Sequence, residues 1–135
     1  MISRLFQSAR LLCLTCLVLL VNMGASAAEY LNPPGGDDLN LPFSDAVKVG
    51  NMLILSGKLG TLPGTTTLVP GGIKPEARQA LENIKTSLER YGATMEDVVK
   101  CTVMIADIAE WGDFNEVYVT FFPGPKPARS AFGAS

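Results

Sequence analysis

A chain of 135 residues has room for one domain and its core. It carries 11 basic and 13 acidic side chains, a net charge of −2, and no histidine. Ser-His-Asp and Cys-His nucleophilic systems and every histidine-based metal motif are therefore excluded. The mild acidity argues against binding nucleic acid by charge.

The N-terminus has three parts. Met1 to Arg10 holds Arg4 and Arg10 and no acid, Leu11 to Met23 is almost wholly apolar, and Ala25-Ser26-Ala27 is a small-residue cleavage pattern. This is the layout of a secretory signal peptide, and the apolar run is short for a bilayer span. Residues 1–27 are expected to be removed, with cleavage after Ala27 or Ala28, and the protein to be exported to a periplasm or outside the cell. The remaining chain then has 9 basic and 13 acidic side chains, a charge of −4. Cys13 and Cys16 leave with the apolar run, so Cys101 alone remains and no internal disulfide can form.

Residues 28–42, with Pro33, Pro34, Gly35, Gly36 and Pro42, read as an exposed leader. Ala46–Val49 and Met52–Leu55 are short apolar runs joined by Gly50-Asn51, a two-residue hairpin signal. Residues 60–74 form a loop rich in Gly, Thr and Pro. Pro75 then opens a helix, on which Ala77, Ala80, Leu81, Ile84, Leu88 and Tyr91 share one face and which Gly92 closes. Thr94 to Asp97 is a turn, and Val98 to Ala106 a Val-rich strand with Val99, Cys101, Val103 and Ile105 on one side. A second helical region begins at Asp107, with Trp111, Phe114, Val117, Tyr118 and Phe121 as an apolar stripe. The last strand, Ala128 to Phe132, follows the loop Pro123-Gly124-Pro125-Lys126-Pro127. Strands alternating with helices imply an α+β fold: a mixed sheet with two helices on one face.

The Pro-rich loop keeps the backbone extended and presents Arg129 at the start of the last strand. A guanidinium is always charged, and its planar fork fits a carboxylate bidentately. Most lone arginines are solvated surface groups, and the residue type alone does not separate the two readings.

Six segments together resemble the Rid family, the YjgF-type reactive intermediate deaminases. They are Phe43 to Asn51, Leu55-Ser56-Gly57, Ala80 to Ile84, Val98 to Val103, Phe114 to Tyr118, and Pro127-Ala128-Arg129-Ser130. The resemblance covers about residues 42–132. It implies a chorismate-mutase-like fold for residues 43–135 and a homotrimer with ligand clefts between subunits. It also implies hydrolysis of 2-imino or enamine acids, such as 2-aminoacrylate and 2-iminopropanoate, to 2-keto acids and ammonia, with no metal or organic cofactor. By the same resemblance Arg129 binds the substrate carboxylate, Ser56 lies near the ligand, and the Ala131 N–H is a second donor. Asn115 and Tyr118 sit beside the cleft. Ser56 also reads as a strand-end turn residue, and Tyr118 as core. Phe43 stands where many members have Tyr. Deaminating members carry a Glu on a final strand, which this sequence ends before, so no catalytic base is assigned. Against an exported imine deaminase stand a trimer that binds small carboxylates without turnover and, disfavoured by the charge, an RNA-acting protein.

Overall fold

The computed structural model describes residues 27–35 and 41–134. The expected signal peptide, up to its last residue, lies outside them.

Within the run read as a leader, Glu29–Leu31 instead form strand β1, antiparallel to β2 (Ala46–Val49), with Tyr30 opposite Val47. Three residues carry no readable period, so only the pairing reveals the strand; Glu29 and Tyr30 remain exposed. β2 turns through Gly50-Asn51 into β3 (Met52–Leu55), with Val49 opposite Met52. Because side chains alternate along a strand, this register places Tyr30, Val47, Val49, Met52 and Ile54 on one face. Much of it is exposed: Tyr30 71%, Met52 60%, Ile54 53%.

The chain then loops into helix α1 (Ile73–Arg90), with Pro75 in its first turn, where a missing N–H costs nothing. Ala77, Leu81 and Leu88 are buried as the periodicity predicts. At about 1.5–3 kcal/mol for each large side chain, the two leucines anchor the helix. Gly92, at φ 80, lets the N–H of Ala93 reach the carbonyl of Leu88 (2.9 Å) and its own N–H that of Glu89 (3.2 Å). That Schellman pattern needs a left-handed residue. Gly60 in the preceding loop is required for a different reason: a Cβ there would come within 2.4 Å of the Glu76 carbonyl oxygen. Asn83 fixes the same loop by donating to the carbonyls of Leu59 and Thr61, both at 2.9 Å.

A 3-10 turn at Met95–Asp97, closed by a Thr94–Asp97 capping box, leads into β4 (Lys100–Ile105). Val99, expected on the inner side, precedes the strand and is 78% exposed. Asp107 accepts from the Ala109 N–H at 2.9 Å and starts a 3-10 turn that runs into helix α2 (Trp111–Phe121). β5 (Ala128–Gly133) lies parallel to β4, with Cys101 opposite Arg129.

The architecture is α+β as expected, but the mixed sheet takes the form of two sheets. One is antiparallel, β1-β2-β3, and the other parallel, β4-β5. Among the described residues no strand joins β3 to β4. The core lies between the two helices and β4: Ala77 and Leu81, Ile105, then Phe114, Val117, Tyr118 and Phe122, with Cys101 and Val103 packed against them.

Asp45 ties the first sheet to α1. It pairs with Lys58, accepts from the Tyr91 hydroxyl at 2.9 Å and lies 3.5 Å from the Arg90 guanidinium. Burial works to raise its pKa, but the hydrogen bonds from Lys58 and Tyr91 outweigh it and hold the carboxyl below its ordinary 3.8.

Candidate functional site

Arg129 is the second residue of β5, between exposed Ala128 and Ser130, and its half-buried side chain points towards α2. There it meets Trp111, Asn115 and Tyr118, spaced by four and then three residues. That spacing puts all three on one helical face. The guanidinium carbon lies 4.5 Å from the ring centroids of both Trp111 and Tyr118. Between the rings, Nη1 donates to Asn115 Oδ1 at 2.9 Å. Arginine has only donors, so the oxygen of the amide must be the atom that faces it. One N–H of five is thus engaged, and two aromatic rings lie against the cation.

Among the described residues no carboxylate comes within ion-pair distance of Arg129. The acids of α2 are engaged elsewhere: Asp113 and Glu116 pair with Lys74 of α1 at 3.2 and 2.8 Å. The helix presents acids to one partner and a neutral amide with two rings to the other. Among the described residues Arg129 is thus left with no acid partner and with donors unused.

Tyr118 has four neighbours that matter. Its ring makes tilted contacts with Phe114 and Phe122, centroids 5.7 and 4.7 Å away, and packs against Arg129. Its hydroxyl is buried without a hydrogen-bond partner. Burial first, then the neighbouring Cys101 thiol, pushes its pKa well above the ordinary 10, although the Arg129 charge opposes this. Tyr118 is therefore both core and wall of the site, and its phenol stays protonated at neutral pH.

A cavity of about 190 Å³ opens beside the guanidinium, between Asn115, Tyr118 and Val119 of α2 and Lys126, Pro127 and Arg129. A larger one, about 510 Å³, lies away from it, between the first turns of α1 and Glu116–Val117. Each is lined by an arginine with no acid partner among the described residues, Arg129 in the smaller and Arg78 in the larger, but only Arg129 is held by two rings and an amide, which favours the smaller.

The remaining sequence candidates lie elsewhere. The Ser56 hydroxyl donates to the Ser44 carbonyl at 2.6 Å and its N–H to the Asp45 carbonyl at 3.0 Å, which is the strand-end role. Phe43 is 54% exposed on the approach to β2. For Ala131 the strand pairing is informative. The N–H groups of Ala128 and Ala134 donate to Val99 and Ile105, beside β4. Alternation then turns the Ala131 N–H to the outer edge of β5. Trp111 belongs to the apolar stripe of the sequence, and its spacing to Asn115 and Tyr118 carries the signal of a shared face. Among the described residues no three acids or cysteines cluster closely enough to hold a metal ion.

The family model described as endoribonuclease L-PSP matches residues 38–135. The chain belongs to this family, which includes the YjgF and Rid proteins. Over 91 residues it is 44% identical to the mouse protein named 2-iminobutanoate/2-iminopropanoate deaminase, covering 67% of each chain. The Rid-family protein YyfA of Yersinia pestis superimposes with a TM-score of 0.73 at 30% identity, covering 80% of this chain and 86% of the other. Escherichia coli TdcF with bound serine superimposes with a TM-score of 0.65 at 32% identity, covering 70% of this chain and 76% of the other. The chorismate-mutase-like α+β architecture is thus that of the family.

Proposed function

We propose that the protein hydrolyses 2-imino and enamine acids to 2-keto acids and ammonia, with Arg129 holding the substrate carboxylate. The observation that carries this reading is a guanidinium fixed by two rings and an amide, with no internal anion. The name of the mouse relative supports the reaction. TdcF with bound serine supports a small carboxylate ligand in this fold. In the reaction the enamine takes a proton at carbon to become the imine, and water adds to C2. The C–N bond then breaks, ammonia leaves and the keto acid remains. The carboxylate persists throughout, so one arginine can hold substrate and product alike, without a cofactor. We favour this over RNA cleavage because acids outnumber basic side chains, 13 to 11.

Export through residues 1–27 and assembly as a homotrimer with clefts between subunits belong to the same proposal. The apolar faces of both sheets favour self-association: Tyr30, Met52 and Ile54 on one, Met104 (64% exposed) and Phe132 (47%) on the other. Such faces are otherwise costly in water.

A second reading, binding without turnover, is favoured by the pocket itself. None of its six lining residues is a carboxylate, and the Tyr118 phenol is held protonated. Incubation with freshly generated 2-aminoacrylate separates the two. Accelerated release of keto acid and ammonia is expected. Binding of keto acids with no acceleration would leave the binding module.

A further inference from the structure

We propose that the Arg129 pocket selects 2-imino acids with a second carboxylate, and that Lys126 is the residue that selects them. The inference rests on the reading that Arg129 holds the first carboxylate. The pocket is walled by two cations, Arg129 and Lys126, and no acid. Its volume of about 190 Å³ is roughly six times the share of one water in the liquid, room for a short acid.

The two cations are held differently. The guanidinium is locked between Trp111 and Tyr118 and tied to Asn115, so it cannot swing to serve both ends of a ligand. Lys126 stands between Pro125 and Pro127. Each proline fixes its own φ, and the second also restricts Lys126 to extended backbone. Its ammonium thus hangs from a stiff rim on a flexible four-carbon stem.

Among the described residues no carboxylate pairs with Lys126, whereas Lys58 and Lys74 both have acid partners. Val119 and Pro127 offer apolar wall for the methylenes between two carboxylates. A monocarboxylic imine leaves the Lys126 charge facing water. A dicarboxylic one neutralises both cations.

The test uses two five-carbon keto acids that differ only at the far end, 2-oxoglutarate and 2-oxopentanoate, as stable product analogues. In calorimetry at low salt the wild-type protein is expected to prefer 2-oxoglutarate by about fivefold, as suits an exposed ion pair. The preference should shrink as salt is raised. Lys126→Gln should bring the ratio close to one, and Lys126→Arg should retain it. Equal wild-type affinities, or a preference that survives in Lys126→Gln, would overturn the inference alone. If neither acid binds the wild-type protein, the carboxylate reading of Arg129 fails and takes this inference with it.

Discussion

The molecule has two partly buried charge centres, built on opposite plans. Around Asp45, one carboxylate gathers Lys58, Tyr91 and Arg90, and cation and anion come from the same chain. Around Arg129, a cation is gathered by two aromatic rings and an amide, and no anion comes from the described residues. The first centre is complete and serves to join β2, the loop after β3 and the end of α1. The second has neutral partners only, which is why we propose it as the ligand site. A cation held by neutral groups is a better mark of a ligand site than a cation alone.

The largest effect should come from altering the incomplete centre. Arg129→Ala should weaken binding of small keto acids about tenfold to a hundredfold, the loss of a charge-assisted contact of roughly 1.5–3 kcal/mol. Asn115→Asp is the sharper test. It places a carboxylate where Nη1 now donates at 2.9 Å, so Arg129 acquires an internal anion and comes to resemble the Asp45 centre. Affinity should fall by about tenfold although Arg129 is intact, and thermal stability should hold or rise. Calorimetry and melting on the same samples decide this. Unchanged affinity in Asn115→Asp would mean that the neutrality of the pocket does not matter.

Breaking the complete centre should affect stability instead. The Asp45 side chain is 13% exposed and that of Lys58 16%, so Asp45→Asn strands two cations in a half-dry setting. We expect a cost of about 2 kcal/mol, below the 3–5 of a fully buried pair, or a fall in Tm of roughly 10 °C. The pH dependence follows from the same bonds. Although burial opposes it, the contacts from Lys58 and Tyr91 hold the Asp45 pKa below 3.8 in the folded protein. On acidification the unfolded chain takes up its proton first, so the stabilisation is present at neutral pH and is lost as pH falls below about 4. Asp97, also lowered by its bonds to Thr94, titrates in the same window. It is common to both proteins, so the difference between wild type and Asp45→Asn isolates Asp45. A Tm difference that does not narrow on acidification would sink this account.

What could be read from the sequence follows how local each signal is. α1 was legible because period, proline and terminal glycine agree within a single run of chain. β1 was not, because three residues have no period and their partners, Ala46 to Lys48, lie far along the chain. The division into two sheets depends on which strands meet, and no local pattern encodes that. The Arg129 fork was visible in Pro-Ala-Arg-Ser through the family resemblance. Its aromatic clamp was not, because the register setting Arg129 opposite Cys101 is a long-range pairing. In the sequence Trp111 reads as core and Tyr118 equally as core or as cleft; only that register aims a cation at both. Asp45 carries no local signal, since its partners Lys58 and Tyr91 lie 13 and 46 residues away.

The smallest effects should come from two tyrosines, one in each centre, and their signs should differ. The Tyr91 hydroxyl donates to Asp45 at 2.9 Å. Tyr91→Phe removes a donor from a carboxylate and should destabilise the fold by about 1 kcal/mol, discounted from the usual value for charged partners because Tyr91 is only half-buried. The Tyr118 hydroxyl is buried with no partner. Tyr118→Phe removes a polar group that lost its water and has only the weakly bonding Cys101 thiol beside it, while the ring that packs under Arg129 remains. It should be neutral, or stabilising by up to about 1 kcal/mol. Paired denaturant melts measure both, and m-values shared by the two variants and wild type would show that only the native state has changed. If Tyr118→Phe costs as much as Tyr91→Phe, the Tyr118 hydroxyl has a partner in solution after all. The Arg129 centre would then be more completely satisfied than its contacts with Trp111, Tyr118 and Asn115 indicate.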